Sequence, residues 1–96
     1  MDASPRIMLK KQIERLGKKD LIMKSGIECE YFLINNEGTA IADKKDIQSK
    51  PCYDQSALMR QYELIKEICD SMIQLGWNPY QNDHEDANGQ FEMNWD

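Results

Sequence analysis

The spacing of apolar residues changes character several times along the chain. Ser4 and Pro5 mark a helix start, as N-cap and first helical residue; Leu9, Ile13 and Leu16 then recur on one stripe, and Gly17 closes the segment. Residues 21–34 switch to alternation, with Ile27, Cys29, Tyr31 and Leu33 on one side and Glu28, Glu30, Phe32 and Ile34 on the other, which predicts a strand. Residues 35–54 have no period. They contain Asn36, Gly38, the string ADKKD and Pro51, and read as a long surface connection.

From an Asp54 cap, a second helix is predicted with Leu58, Tyr62, Ile65, Cys69 and Met72 at steps of four and three, widened by Leu64, Ile68 and Leu75. Gly76 ends it and Pro79 prevents its resumption. The last two segments, residues 77–87 and 90–95, are short and flank Asn88-Gly89, a strong two-residue hairpin signal. The sum is an α+β domain, an antiparallel sheet with two helices, occupying the whole of residues 1–96 with no second domain.

The hairpin gives the polar residues a geometry. With Asn88 and Gly89 as the loop, Ala87 faces Gln90, Asp86 faces Phe91, and Glu85 faces Glu92, so two glutamates are opposed without a neutralising partner. On the first predicted strand, Glu28 and Glu30 point to one face. If these strands are neighbours, four carboxylates converge, and hard oxygen donors of that kind suit Mg2+ or Mn2+. Two bland readings stay open: Glu28 and Glu30 as edge charges placed against aggregation, and a longer or differently registered loop that separates Glu85 from Glu92. His84 falls on the opposite face from Glu85, so it is expected to support a ligand rather than to be one.

Charge and composition narrow the partners. The formal net charge is −5, with 12 Lys and Arg against 17 Asp and Glu, which leaves no basic field for a nucleic acid. The basic residues of the first helix, among them Arg6, Lys10, Lys11 and Arg15, read as a solvated face. Cys29, Cys52 and Cys69 are odd in number and widely spaced, the usage of a reducing compartment. The first residues lack an apolar run long enough for a signal peptide or a membrane span, and a soluble cytoplasmic protein is expected.

Several stretches together resemble the catalytic domain of glutamine synthetases. GIECEYFL is similar to the family's Glu-x-Glu strand and HEDANGQFE to its His-Glu motif followed by Gly-Gln-x-Glu; SPRIMLKKQ and the segment beginning KPCYDQSALMR resemble the helices around them, in the expected order. The resemblance implies that Glu30, Glu85 and Glu92 hold the metal ordering the glutamate site, and that Glu28 holds a second metal on the nucleotide phosphates. It also places Glu85 near the ammonium pocket as a catalytic residue, and matches Tyr53 to a tyrosine of that pocket. The implied reaction uses ATP to phosphorylate the γ-carboxylate of glutamate, after which ammonia displaces phosphate. Glutamate, ammonia and ATP are thus the implied substrates, and a cytoplasmic homo-oligomer of nitrogen metabolism the implied setting.

Other features qualify that picture. Asp83 stands where a common form of the motif has a second histidine, Pro51-Cys52 replaces the usual Gly-Gly before Tyr53, and YDQSALMR looks more like the type III and γ-glutamyl amide ligase branch. A γ-glutamyl amide ligase using methylamine or another amine is therefore the alternative enzyme, and a non-catalytic assembly or regulatory module the alternative of another class. The 96 residues resemble only the N-terminal part of the catalytic domain. An isolated chain of this extent is expected to be inactive and to self-associate.

Overall fold

The computed structural model describes residues 4–96. Helix α1 (Pro5–Gly17) is followed by strand β1 (Cys29–Phe32), helices α2 (Gln55–Arg60) and α3 (Tyr62–Gln74), and strands β2 (Pro79–His84) and β3 (Gln90–Trp95). The three strands form one antiparallel sheet in the order β1-β3-β2. The expected α+β architecture is present, with three helices where the periodicity predicted two.

The second helix divides because Gln61 leaves helical geometry, at φ −103° and ψ 9°. Asp54 caps α2 as expected, its carboxylate accepting from the Ser56 N–H at 2.9 Å. At the far end Gly76 takes φ +83°, while Gly76 N–H donates to the Ile73 carbonyl and Trp77 N–H to the Met72 carbonyl. These paired bonds satisfy carbonyls that the helix end would otherwise leave open.

One face of the sheet makes the core. Ile65 and Met72 of α3 pack with Phe91 and Met93 of β3, and Tyr31, Leu33, Leu58, Ile68, Cys69 and Trp95 close around them. Leu64 and Leu75 of the predicted stripe are exposed. Helix α1 forms where expected but buries no residue, and Leu9 and Ile13 are about half exposed. The Cα radius of gyration is 18.2 Å, against about 12–13 Å for a compact chain of this length. Among the described residues no helix is long and apolar enough to cross a membrane.

Two sequence expectations need correction. The predicted strand over residues 21–34 shrinks to Cys29–Phe32, with an isolated bridge from Ile34 to Ile41, so Glu28 lies just ahead of the strand. Residues 35–54 are folded rather than merely looped. Asn35 accepts from the Thr39 and Ala40 N–H groups, and Pro51 and Asp46 are buried.

Candidate metal centre

The hairpin closes two residues earlier than Asn-Gly pairing predicts. Asn88 and Gly89 do occupy the centre of a turn, in which Gln90 N–H donates to the Ala87 carbonyl. A type I′ turn requires positive φ at both central residues, and of the two only Gly89 has it, at +77°. Strand pairing resumes at Glu85, whose N–H donates to the Gln90 carbonyl, and the register places Asp83 opposite Glu92 and His84 opposite Phe91. The predicted facing pairs Glu85–Glu92 and Asp86–Phe91 do not form. A shift of two preserves the alternation, and Glu85 therefore stays on the side of Glu92.

On β1, Glu30 faces Glu92 directly. Asp83, Glu92 and Glu30 thus form a row across the sheet on the side away from α3. Glu28 joins them from the segment before β1: carboxylate oxygens of Glu28, Glu30 and Glu92 lie within 4.8 Å of one another. Glu85 lies on the same side of the sheet as Glu92, close enough for the two carboxyls to interact, and it clusters with Cys52 and Asp86. The pKa of Glu85 is pushed up to about 7, by burial first, then by the Glu92 hydrogen bond and the charges of Glu92, Glu30 and Asp86.

The charges meet neutral amides, not cations. Asn94 Nδ2 donates to Glu92, Gln90 Nε2 to Glu30 and Gln81 Nε2 to Asp83. The ion pairs among the described residues are Arg60–Asp43, Lys66–Asp70 and His84–Asp46, and none includes an acid of this face. Glu92 is only 8% exposed, so its charge is costly to leave unbalanced.

Tyr53 lies beside the acids. Its N–H donates to the His84 carbonyl at 2.8 Å, and its backbone holds φ +62°, a conformation unusual for a bulky residue. It lines a cavity of about 280 Å³ with Glu28, Asp83, Glu92 and Asn94. The phenol is held above its ordinary pKa by neighbouring Cys52, Glu85 and Asp83.

His84 points into the core face, fully buried, its ring edge-on to Phe91 at 5.1 Å. Its Nε2 donates to Asp46 at 2.6 Å, and Nδ1 lies 3.0 Å from the Glu85 carbonyl. Asp46 is the residue that sequence reasoning missed. Within ADKKD it looks solvated, and the only hint of its burial was that a lone histidine inside a core requires an acceptor.

A sheet carrying α3 on one face and a row of carboxylates on the other defines an α+β domain built around an acidic site. The family model "Glutamine synthetase, catalytic domain" matches residues 2–96, and the chain belongs to that family. Glutamine synthetase of Rhizobium leguminosarum bv. phaseoli is 55% identical over 96 residues, covering 100% of this chain and 22% of that protein. Glutamate–methylamine ligase of Methyloversatilis universalis is 41% identical over 92 residues, 94% of this chain and 21% of that protein. The solved structure of apo GmaS without ligand is similar with a TM-score of 0.79 at 59% identity, covering 100% of this chain and 23% of the other. The chain spans about a fifth of the length of the curated relatives it matches.

Proposed function

We propose that this chain supplies the metal-binding face of an ATP-dependent glutamate–ammonia ligase, with Glu28, Glu30, Glu85 and Glu92 holding two divalent cations, Mg2+ or Mn2+. The observation that carries this reading is the meeting of Glu28, Glu30 and Glu92 within 4.8 Å, with no ion pair to any of them among the described residues. The tight cluster offers only carboxylate oxygens, which fits these hard cations. The resemblance, not the spacing, assigns Glu30, Glu85 and Glu92 to the cation ordering glutamate and Glu28 to the one on the nucleotide phosphates; in this structure Glu28 clusters with Glu30 and Glu92. A bound cation supplies charge stabilisation to a transferring phosphoryl group.

The chain's own residues orient and manage protons. Gln90 fixes the Glu30 carboxylate and Asn94 that of Glu92. Glu85 is assigned to the amine side of the site, where its carboxylate can accept a proton from an amine that arrives as ammonium. Tyr53 offers a hydroxyl on the wall of the adjoining cavity and is assigned to the substrate pocket. His84 holds the Glu85 backbone and stays away from the metals. Placement in the cytoplasm, in nitrogen metabolism and in a homo-oligomer follows from the family resemblance.

A second amine is favoured by specific observations: Asp83 takes the place of a second histidine, and a glutamate–methylamine ligase is 41% identical. Phosphate release from ATP by the gene product, with glutamate plus ammonia or plus methylamine, separates the readings. Faster turnover with ammonia supports glutamine synthesis, faster turnover with methylamine supports the amide ligase, and release with neither supports a non-catalytic module.

A further inference from the structure

Asp46 is 1% exposed and sits behind the acidic face. One of its oxygens, Oδ2, accepts two hydrogen bonds of 2.6 Å, from His84 Nε2 and from the Gly89 N–H. His84 immediately precedes Glu85, and Gly89 immediately precedes Gln90, so this single oxygen fastens both ends of the loop formed by residues 85–89. The remaining His84 nitrogen meets the Glu85 carbonyl, and Gln90 reaches Glu30. Its second oxygen, Oδ1, is buried with no hydrogen-bond partner among the described residues, an arrangement that costs stability and needs an offsetting gain.

Asp46 is itself braced from the helices. Its N–H donates to the Asp43 carbonyl at 3.1 Å, and the Asp43 carboxylate accepts from Arg60 Nε of α2 at 2.6 Å. A continuous path therefore runs from α2 through Asp43 and Asp46 to the loop that presents Glu85. We propose that Asp46 is a positioning residue of the metal centre, fastening both ends of the Glu85 loop so that Glu85 is held on the side of the sheet that carries Glu92. Its carboxylate lies behind the sheet and acts through His84 and Gly89. The proposal rests on the metal reading given above.

The test uses the 96-residue chain with Mn2+ alone, followed by the free-ion paramagnetic resonance signal, together with amide exchange at Gly89. Asp46→Asn should weaken Mn2+ binding by about ten- to hundredfold, the usual effect of removing a residue that orients a metal ligand, and should speed exchange at Gly89. Once Glu85→Gln is present, adding Asp46→Asn should cause a clearly smaller further loss, because most of its effect reaches the site through Glu85 and only the remainder through Gly89 and Gln90. A folded Asp46→Asn chain with unchanged affinity overturns the proposal, and so does an equal loss in the Glu85→Gln background, which marks a general structural effect. If Asp46→Asn fails to fold, Arg60→Gln loosens the same path from its exposed end. It should give a smaller loss of the same sign, and unchanged affinity there counts against the proposal. A wild-type chain that takes up no Mn2+ removes the metal reading and this proposal with it, whereas a site intact in Asp46→Asn removes only this proposal.

Discussion

The β2–β3 hairpin and helix α1 are both amphipathic segments of similar length, yet they reach opposite ends of the burial scale. Phe91 is 2% exposed and Met93 4%, whereas α1 buries nothing and its Ile13 is 51% exposed. The hairpin has a helix on one side and the braced segment of residues 41–54 over its turn; α1 has no such cover among the described residues. Periodicity establishes that a segment has an apolar side, but not that anything lies against it. The acidic site stands on the part of the chain with its own core, which is where ligands can be held in fixed relation.

The difference should be plainest in truncation of apolar side chains. Phe91→Ala removes the centre of a small core and should cost about 3–5 kcal/mol, enough to unfold a domain of this size, while Leu9→Ala should stay within about 0.5 kcal/mol. Urea unfolding followed by tryptophan fluorescence measures both, since Trp95 lies on β3 and stacks on Trp77 at 5.5 Å. Equal losses would show that α1 shares the core after all.

Gly89→Ala comes next. A Cβ there would lie 2.6 Å from Ile41 Cγ2 on a backbone at φ +77°, so both contact and conformation oppose it. A loss of about 2–3 kcal/mol is expected in the same unfolding experiment.

These contacts also explain what could be read in advance. The start of α1, the stop at Gly76, the α+β class and the presence of Glu30 and Glu92 on one side of the sheet rest on local signals, and they were legible. The hairpin register was not, because Asp46 and Ile41 hold Gly89 from more than forty residues away and no turn rule contains them. The break at Gln61 and the shortening of β1 to Cys29–Phe32 have no counterpart in the periodicity of the apolar residues. Asp46 escaped because charged residues in a run look solvated until a buried partner is known.

A smaller effect follows from Glu85. Its carboxyl has an ordinary pKa of 4.5 and is raised to about 7 in the folded chain. The folded form therefore holds the proton more tightly, and the associated stability is fully present below pH 4.5 and is lost as pH rises to about 7. In EDTA the melting temperature should fall across that window, and Glu85→Gln should flatten the fall.

Smallest of all, Gly17→Ala in α1 should raise helix content and add about 0.5–1 kcal/mol locally, since a Cβ there meets nothing within 4 Å. The hairpin's unfolding midpoint should not move. A shift there would couple the two regions.

The central claim is that the glutamates of the sheet face are gathered for a cation, and thermal melting with and without Mn2+ tests it most directly. A ligand bound only by the folded form adds about 2.7 kcal/mol at a hundredfold excess over its dissociation constant. The melting temperature of the wild-type chain should rise with Mn2+, while Glu92→Gln should melt higher than wild type in EDTA and respond less to the ion. A folded wild-type chain whose melting is indifferent to Mn2+ would contradict the account, since the acids would then not be arranged as a cation site.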